Sequence, residues 1–359
     1  MTQLADLGGW AAVLQQLVAG RDLPAGTARA AMDEVLAGQA TPAQFAAFVV
    51  ALRVKGETVD ELSGMLDAML AAAHLVALPD GLQDRAVDVV GTGGDRSHSI
   101  NVSTLAALVV AGAGVPVCKH GNRAASSQCG AADLLEALGV VIELSPAAVA
   151  RCVEEAGIGF CLAPLFHPAL RHAGPSRREM GIPTAFNILG PLANPARVRR
   201  MLLGVADPSM AERMLSVLQA HGATHVLLVH GHDGLDELTT TGPSTALELR
   251  DGTVTRTTVD PDRLGLALAP PEALRGGDPQ TNAALALRVL DGERGPHRDI
   301  VVLNAGAALL VGGAVEDLAA GVAQAATTID DGRAAAALER LRAVSVASSV
   351  AAAEGDLPG

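Results

Sequence analysis

The spacing of the apolar residues changes near residue 80, and this change limits the folds that the chain can adopt. Before it, three stretches repeat apolar residues every three or four positions, as amphipathic helices do: TARAAMDEVLAG, TPAQFAAFVVALRVKG and TVDELSGMLDAMLAAAH. After it, short β-branched runs alternate with Ala- and Leu-rich stretches, which is typical of parallel strands joined by crossover helices. We therefore predict an α/β protein, with a small all-helical N-terminal domain and a larger α/β domain whose central, mostly parallel sheet is surrounded by helices.

Capping signals place the ends of the three N-terminal helices. Two of the helices end on a glycine suited to a C-terminal cap, Gly38 and Gly56. Thr58 and Glu61 have the spacing of a capping box. Each helix is predicted to begin with a threonine cap: Thr27, Thr41 and Thr58.

The strands are predicted from short runs rich in β-branched residues. These runs are AVDVVG, GVPVC, GVVIEL, MLLGVA and THVLLVHG. The stretch ALELRDGTVTRTTV is a predicted hairpin, with Asp251-Gly252 as its turn. After Ser348 the small-residue tail is predicted to be frayed.

The composition excludes several classes of function. The 359 residues carry a net charge of −13 and include no tyrosine, one tryptophan and five phenylalanines, so no surface for nucleic acid is indicated. The four cysteines form no C-x-x-C pair, which argues against a zinc ribbon and suits a reducing compartment. The N-terminus lacks a basic signal-peptide region, and no apolar run is long enough to span a membrane. We predict a soluble, cytoplasmic protein that binds neither nucleic acid nor a membrane.

The stretch GTGGD, residues 91 to 95, follows the first predicted strand. Exposed backbone N–H groups at a strand's end can bind a phosphate. The stretch is not a dinucleotide fingerprint, because the third glycine would fall on Arg96, and no Gly-Lys-Ser/Thr follows to make a P-loop. Asn101, Ser103 and Thr104 then begin a helix, where they can either cap it or hold a phosphate or metal.

The stretch KHGNRAASS, residues 119 to 127, follows the second predicted strand. Lysine, histidine and arginine within five residues, mixed with glycine and serine, favour a phosphate-binding loop. Lys119 is one of only two lysines in the chain. The serines also begin a helix, so helix capping explains part of the pattern.

The stretch HGHDGLDELTTTG, residues 230 to 242, offers two kinds of metal site. His230 and His232 resemble the H-x-H start of a binuclear hydrolase, although further His and Asp residues at the required spacings are absent. Asp236 and Glu237 suit a hard cation such as Mg²⁺, which prefers oxygen ligands and often bridges to substrate phosphates. An isolated Asp-Glu pair is also common on solvated surfaces.

A pair of arginines lies in SRREMGIPTAFNILGPLANP, residues 176 to 195. Arg177 or Arg178 can bind a carboxylate in a bidentate manner. The alternative is an exposed helical arginine pair.

Together, GTGGD…NVST, KHGNRAASS, FNILGPLANP and GLDELT resemble, in order and spacing, the anthranilate phosphoribosyltransferase family, and the resemblance runs from residue 4 to residue 347. It implies a homodimer formed through the small domains. It also implies a small helical domain of residues 1–76 with a returning segment at 167–190, a large domain of 77–166 and 191–347 that binds donor and magnesium, and a flexible tail at 348–359.

The resemblance further implies a reaction. The phosphoribosyl group of phosphoribosyl pyrophosphate is transferred to the amine of anthranilate, in tryptophan biosynthesis, with two Mg²⁺ ions per site. Anthranilate binding is implied for Gly91, Asn122 and Arg177. One Mg²⁺ is implied at Ser103 and the second at Asp236 and Glu237.

The largest implied set binds the donor, and no dedicated catalytic acid or base is expected, because the aryl amine is already neutral at pH 7. The implied donor-binding residues are Gly91, Gly94, Asp95, Ser99, Asn101, Val102, Ser103, Thr104, Lys119, His120, Gly121, Asn122, Arg123, Ala124, Ala125, Ser126, Ser127 and Ala131. The chain departs from the family's pattern at Gln128, Cys129, Ala131 and Pro183.

Three alternatives are weighed against this interpretation. A pyrimidine nucleoside phosphorylase shares the fold, but it uses inorganic phosphate and needs no paired carboxylates for metal. A metal-dependent hydrolase would rest on His230 and His232. A non-catalytic relative that binds nucleic acid is disfavoured by the acidic balance of the chain.

Overall fold

The computed structural model describes residues 3–124 and 127–355 as fifteen α-helices and seven strands, with short 3-10 turns between them. The strands are β1 (Val87–Gly91), β2 (Val117–Gly121), β3 (Ile158–Leu162), β4 (Arg200–Gly204), β5 (His225–Gly231), β6 (Ser244–Arg250) and β7 (Thr253–Val259). The helices are α1 (Gly9–Val18), α2 (Ala25–Leu36), α3 (Pro42–Lys55), α4 (Val59–Ala71), α5 (Val102–Gly112), α6 (Ala131–Ala137), α7 (Pro146–Ala156), α8 (Ala163–Phe166), α9 (Gly174–Met180), α10 (Ala185–Leu192), α11 (Ala211–Ala220), α12 (Pro279–Leu290), α13 (Pro296–Gly312), α14 (Leu318–Asp330) and α15 (Arg333–Gly355).

The strands form one sheet in the order β3-β2-β1-β4-β5-β6-β7. The first five are parallel, and β6 and β7 continue the sheet as an antiparallel hairpin. The chain leaves β1 toward β2 and β3 on one side, and later returns to β4 and β5 on the other side. Open α/β sheets bind ligands at such a switch point, beyond the carboxyl ends of the strands. The predicted fold class is confirmed.

The two faces of the sheet belong to two apolar cores. Alternate residues of β4 and β5 point to opposite sides, so Leu202 and Leu227 join one core while Leu203 and Leu228 join the other. The first core includes α5, α13 and α15, and the second includes α1 to α4, α10 and α11. The N-terminal helices therefore pack on one face of the sheet through a shared core.

The structure corrects one strand and adds another. The run GVVIEL is not a strand, although it was predicted to be one; it is an extended connection between α6 and α7 in which Val140, Ile142 and Leu144 are buried. An alternating burial pattern arises in any extended segment against a core, and pairing with a neighbouring strand is a separate requirement. The strand that does form the edge is β3, with the sequence IGFCL.

The hairpin of β6 and β7 is confirmed with its turn. Asp251 and Gly252 have φ values of 49° and 82°. Positive φ at both central residues is the requirement of a two-residue type I′ turn, which matches the twist of the flanking strands.

The predicted caps of the N-terminal helices hold in two of three cases. The Thr41 and Thr58 side chains accept hydrogen bonds from Gln44 N–H and Glu61 N–H. Thr27 does not cap its helix, because α2 begins two residues earlier, after Pro24.

The C-terminal helix is longer than predicted. Helix α15 continues to Gly355, whereas a frayed tail was predicted from Ser348. Ser345 and Ser348 are buried, which ties this stretch to the core. Residues 356–359 lie outside the described residues. Within the described part of the chain, no helix has the length and apolar character to cross a bilayer.

A buried ion pair holds the start of α4. The Lys55 ammonium lies 2.7 Å from Asp22 Oδ1 and 2.9 Å from Glu61 Oε2. The fully buried Glu61 carboxylate also accepts the N–H groups of Leu23 and Thr58 at 2.9 and 2.8 Å. One of the two lysines of the chain therefore has a structural role.

We predict that Lys55→Met lowers the free energy of unfolding by about 3 kcal/mol, because it leaves the Glu61 charge buried without its partner. Urea denaturation followed by circular dichroism measures the change. Arg151→Met is the matched control, because its pair with Glu155 is exposed and screened by water, so its loss should change the free energy of unfolding much less. Equal losses in the two variants would contradict the structural role of Lys55.

Candidate active site

The predicted donor loops meet at the carboxyl edge of the sheet, next to the switch point. The GTGGD turn follows β1, the KHGN loop follows β2, and the loop containing Asp236 and Glu237 follows β5. The start of α5 lies beside them, since Ser103 contacts Lys119. The sheet topology, rather than proximity along the chain, brings these segments together.

Two glycines leave room for the loop after β5. Gly91 and Gly204 are paired neighbours at the ends of β1 and β4. A Cβ on Gly91 would overlap the Asp236 carboxylate, and a Cβ on Gly204 would overlap the Asp236 carbonyl. Gly93 N–H donates to Asp236 Oδ2 at 2.6 Å. Because the glycines of GTGGD have no side chains, the Asp236 carboxylate from another loop can approach the end of β1.

The loop after β5 is fixed on both sides of its acids. The Asp233 carboxylate accepts the hydroxyls of Thr239 and Thr241 at 2.8 and 2.6 Å. On α13, the buried Asn304 side chain accepts Leu238 N–H at 3.0 Å and donates to the Leu238 carbonyl at 2.8 Å. These bonds fix the loop on both sides of Asp236 and Glu237 and do not involve the carboxylates of those two residues.

Asp236 and Glu237 are buried, and the half-buried carboxylate of Asp95 lies close to them. Burial raises the pKa of Asp236 to about 7, and the nearby Asp95 carboxylate adds to the rise. Burial, followed by repulsion from Asp236, raises the pKa of Glu237 well above its usual range, and Lys119 opposes this. Negative charge is held here with too little positive charge to balance it, which suits a divalent cation.

The oxygen ligands here suit a Mg²⁺ ion that keeps several waters better than an ion coordinated by protein side chains alone. Among the described residues, no group of three His, Cys, Asp or Glu side chains has the arrangement of a metal site. Mg²⁺ normally keeps several waters and is bound by one or two carboxylates together with substrate phosphates. Asp236, Glu237 and the Ser103 hydroxyl match that pattern.

Lys119 lies near Asp236 and Glu237 and is only 2% exposed. Its ammonium donates to the Val89 carbonyl, and to Ser103 Oγ at 3.2 Å. Burial lowers the pKa of Lys119, while the charges of Asp88 and Glu237 act in the opposite direction. The second lysine of the chain therefore faces the predicted phosphate and metal groups.

The start of α5 is tied to two other loops. Asn101 does not cap the helix; its Nδ2 donates to the Cys129 carbonyl at 3.0 Å, and its Oδ1 accepts from Asn282 Nδ2 at 2.9 Å. Val102 is buried in the core, so its side chain is not available to a ligand. The Thr104 hydroxyl is buried and has no hydrogen-bond partner in the part of the chain that the structure describes.

The GTGGD turn and the segment after it contain further residues that were predicted to bind phosphoribosyl pyrophosphate. Gly94 adopts a left-handed conformation with φ 86°. Asp95 Oδ1 accepts Ser97 N–H at 3.1 Å. Ser99 Oγ lies 3.2 Å from Ser97 Oγ, and its backbone pairs with Arg275 in an isolated bridge.

The KHGN loop is closed by an acid that the sequence did not single out. Asp133 Oδ2 accepts the N–H groups of Ala124 and Gly130, both at 2.9 Å. Arg123 turns toward α6, where Nη1 lies 3.2 Å from Asp133 and Nη2 lies 2.9 Å from Glu136. Its guanidinium is therefore engaged by acids of the protein, although it was predicted to bind phosphate.

Other residues of this loop differ in exposure. Asn122 and Ser127 are exposed. A Cβ on Gly121 would lie 2.8 Å from the Phe160 ring and 3.4 Å from Ala131 Cβ, so Gly121 allows close packing at the end of β2. Ala125 and Ser126, which were also predicted to bind the donor, lie outside the described residues.

His120 is buried and neutral. Burial lowers the pKa of its imidazole to about 3, with further lowering by His167 and Lys119. The two histidine rings are 5.2 Å apart. Among the described residues, His120 Nε2 has no hydrogen-bond partner. A neutral imidazole of this kind can supply a hydrogen bond but not a positive charge.

Arg177 lies on α9 with its guanidinium 5.1 Å from the centre of the Phe186 ring. Burial lowers the pKa of this guanidinium. Within residues 3–124 and 127–355, it forms no ion pair with an acid. Its neighbour Arg178 is exposed. An aromatic-supported arginine without a counter-charge is suited to bind a carboxylate in a bidentate manner.

The histidines of the hydrolase alternative are occupied by protein groups. His230 Nδ1 lies 2.8 Å from the Val205 carbonyl, and His232 Nε2 lies 3.1 Å from Thr245 Oγ1. These contacts and the missing further ligands leave the alternative without support.

Known proteins resemble this chain over most of its length. The glycosyl transferase family, a/b domain, matches residues 83–335, and the helical bundle domain of the same family matches residues 11–73. The anthranilate phosphoribosyltransferase of Saccharopolyspora erythraea is 55% identical over 93% of this chain and 95% of its own length.

Two solved structures have the same fold. Anthranilate phosphoribosyltransferase from Thermus thermophilus has a TM-score of 0.87 and 43% identity, over 93% of this chain and 99% of its own. The enzyme from Saccharomyces cerevisiae, solved in complex with PRPP and Mg, has a TM-score of 0.85 and 27% identity, over 94% of this chain and 98% of its own. This chain belongs to the anthranilate phosphoribosyltransferase family.

Proposed function

We propose that this chain transfers the phosphoribosyl group of phosphoribosyl pyrophosphate to the amine of anthranilate, giving N-(5-phosphoribosyl)anthranilate and pyrophosphate in L-tryptophan biosynthesis. The observation that carries the proposal is the buried group of Lys119, Asp236 and Glu237 beside the GTGGD turn at the switch point of the sheet. A ligand that is both polyanionic and bound to a divalent cation suits this group, and the donor has both properties.

The donor is proposed to lie across the three loops at the carboxyl edge of the sheet. The backbone from Gly91 to Asp95 faces its pyrophosphate and ribose. The Lys119 ammonium and the start of α5 supply positive charge and N–H groups, and helix starts favour phosphate. His120 contributes a neutral hydrogen bond. The loop of residues 121–127 and Ala131 complete the predicted donor set.

Two Mg²⁺ ions per site are proposed, one at Ser103 and one at Asp236 and Glu237. When bound, Mg²⁺ neutralises charge on the departing pyrophosphate. The protein's contribution is to hold the acids in place through Asp233 and Asn304, so that no reorganisation is needed as charge develops on the leaving group.

Anthranilate is proposed to bind with its carboxylate at Arg177 and with Asn122 and Gly91 nearby. The aryl amine is neutral at pH 7, so its lone pair can attack the anomeric carbon without a base. Catalysis then comes from holding the amine in line with the bond that breaks. No side chain is assigned as a general acid or base.

A homodimer in the cytoplasm is also proposed. The support is in the small helical domain, where Val18 and Val54 are 80% and 83% exposed on the adjacent helices α1 and α3. Large exposed apolar side chains on neighbouring helices suit contact with a second copy of the chain.

The transfer is tested by following the loss of anthranilate fluorescence. We expect the loss only when phosphoribosyl pyrophosphate and Mg²⁺ are both present. In Asp236→Asn/Glu237→Gln, the response to Mg²⁺ should disappear, because the proposed ligands are gone. Glu154→Gln, on the exposed side of α7, is the control and should keep the wild-type Mg²⁺ titration. Phosphorolysis of uridine or thymidine in place of anthranilate consumption would favour the phosphorylase alternative.

Arg177→Ala should raise the KM for anthranilate by ten- to a hundredfold, since a charged hydrogen bond to a carboxylate contributes about 1.5–3 kcal/mol. The KM for phosphoribosyl pyrophosphate should change by less than about twofold. Arg178→Ala is the control for an exposed neighbour and should change neither value. An equal rise in both KM values for Arg177→Ala would contradict its proposed contact with the acceptor.

Sedimentation velocity tests the dimer. The wild-type chain should sediment as a dimer, and Val18→Asp/Val54→Asp should shift it to a monomer by placing charge in the apolar contact. Val254→Asp, which adds charge at a half-exposed valine of β7, should remain a dimer. A monomeric wild type, or a dimeric double variant, would overturn the proposed interface.

A further inference from the structure

The pairing of β1 and β2 stops after one step. Their only register pair is Val87 with Val117, whereas β1 pairs with β4, and β2 with β3, through five positions each. Val87 N–H donates to the Pro116 carbonyl at 2.9 Å, as expected for a parallel ladder. The neighbouring strands β1 and β2 therefore part inside the sheet, one residue before the position of Lys119.

The backbone groups released by this parting are bound by side chains. One further step of a parallel ladder would join Val89 N–H to the Cys118 carbonyl, and His120 N–H to the Val89 carbonyl. In the structure, the Cys118 carbonyl accepts from Asn194 Nδ2 at 2.8 Å, and His120 N–H donates to Asp88 Oδ1 at 3.2 Å.

Another released group, the Val89 carbonyl, positions Lys119. The Val89 carbonyl, which the ladder would have given to His120, accepts instead from the Lys119 ammonium. The same ammonium reaches Ser103 Oγ at 3.2 Å. A lysine whose head group lies in the gap between two strands thus points toward the start of α5.

The two side chains that hold the gap open also bind each other. Asn194 Nδ2 donates to Asp88 Oδ2 at 2.8 Å, and Asn194 Oδ1 accepts Ala196 N–H at 2.9 Å. Asp88 and Asn194 are 0% and 2% exposed. Their removal would leave buried backbone groups that can regain partners by closing the ladder, and closure would take the Val89 carbonyl from Lys119.

We propose that Asp88 and Asn194 are positioning residues, whose paired side chains keep the β1–β2 ladder open so that the Lys119 ammonium is held where the donor's phosphates bind. The inference rests on the proposed function for the role of Lys119. Asp88 and Asn194 touch neither substrate; they act through the backbone on either side of Lys119.

Steady-state kinetics of Asp88→Asn and Asn194→Ala tests this inference. His120 N–H and Asn194 Nδ2 bind different oxygens of the Asp88 carboxylate, so the amide NH₂ of Asp88→Asn places a donor against one of these two donors. We expect the KM for phosphoribosyl pyrophosphate to rise at least tenfold in both variants, and the KM for anthranilate to change less than twofold. Ser345→Ala is the matched control, because it removes a buried hydroxyl that accepts Val141 N–H far from the site. It should lower the melting temperature but leave both KM values unchanged.

A double-mutant cycle with Lys119→Met separates positioning from general structural damage. If Asp88 acts through Lys119, Asp88→Asn should add little to the donor KM of the Lys119→Met protein. Unchanged donor KM values, a parallel rise in both KM values, or a full additional effect in the Lys119→Met protein would each overturn the inference.

Hydrogen exchange of the wild-type chain covers the case in which the variants fail to fold. The His120 amide, which has no strand partner, should be protected as well as amides of the β4–β5 ladder, and rapid exchange would contradict its bond to Asp88. The exchange measurement does not depend on turnover. A wild-type chain that consumes no anthranilate contradicts the proposed function, whereas active Asp88 variants with wild-type KM values contradict only the role of Asp88 and Asn194.

Discussion

The site depends on buried charges that the protein alone leaves unbalanced. Folding places the Lys119 ammonium among the carboxylates of Asp88, Asp236 and Glu237, away from water. Burial is unfavourable for each charged form, and one ammonium cannot balance three carboxylates. Burial, followed by repulsion between the carboxylates, raises the pKa values of Asp236 and Glu237. A ligand that brings its own divalent cation relieves this imbalance, which links the electrostatics of the site to the chemistry of its donor.

The fold produces this site with backbone features more than with side chains. Gly91 and Gly204 leave room for the loop after β5, and the opened ladder of β1 and β2 leaves room for Lys119. Both features occur beside the switch point of the sheet, where the chain connections diverge. The acids and the lysine come from separate strand ends and meet only after the sheet has formed.

The parts of the molecule that local rules govern could be predicted from the sequence. The Asp251-Gly252 turn, the caps at Thr41 and Thr58, and the alternation of strands and helices depend on residues close in the chain. The same rules failed at GVVIEL, where alternation came from packing without strand pairing. The loops carrying Lys119, Asp236 and Glu237 were found because short motifs mark strand ends, and the resemblance to a family supplied their order.

The residues that support the site could not be predicted in this way. Asp88 is one acid in an apolar strand, and its partner Asn194 is 106 positions away in the chain. Their role follows from the register of two strands, which no local pattern specifies. Arg123 is the opposite case. Its place in a motif suggested phosphate binding, whereas its guanidinium binds Asp133 and Glu136 in the structure.

A crystal structure of the chain with phosphoribosyl pyrophosphate and Mg²⁺ tests the central claim most directly. We expect the pyrophosphate to lie between the GTGGD turn and Lys119, with a Mg²⁺ ion about 2.1 Å from a carboxylate oxygen of Asp236 or Glu237. A donor bound elsewhere, or a metal ion with neither acid among its ligands or their bridging waters, would contradict it.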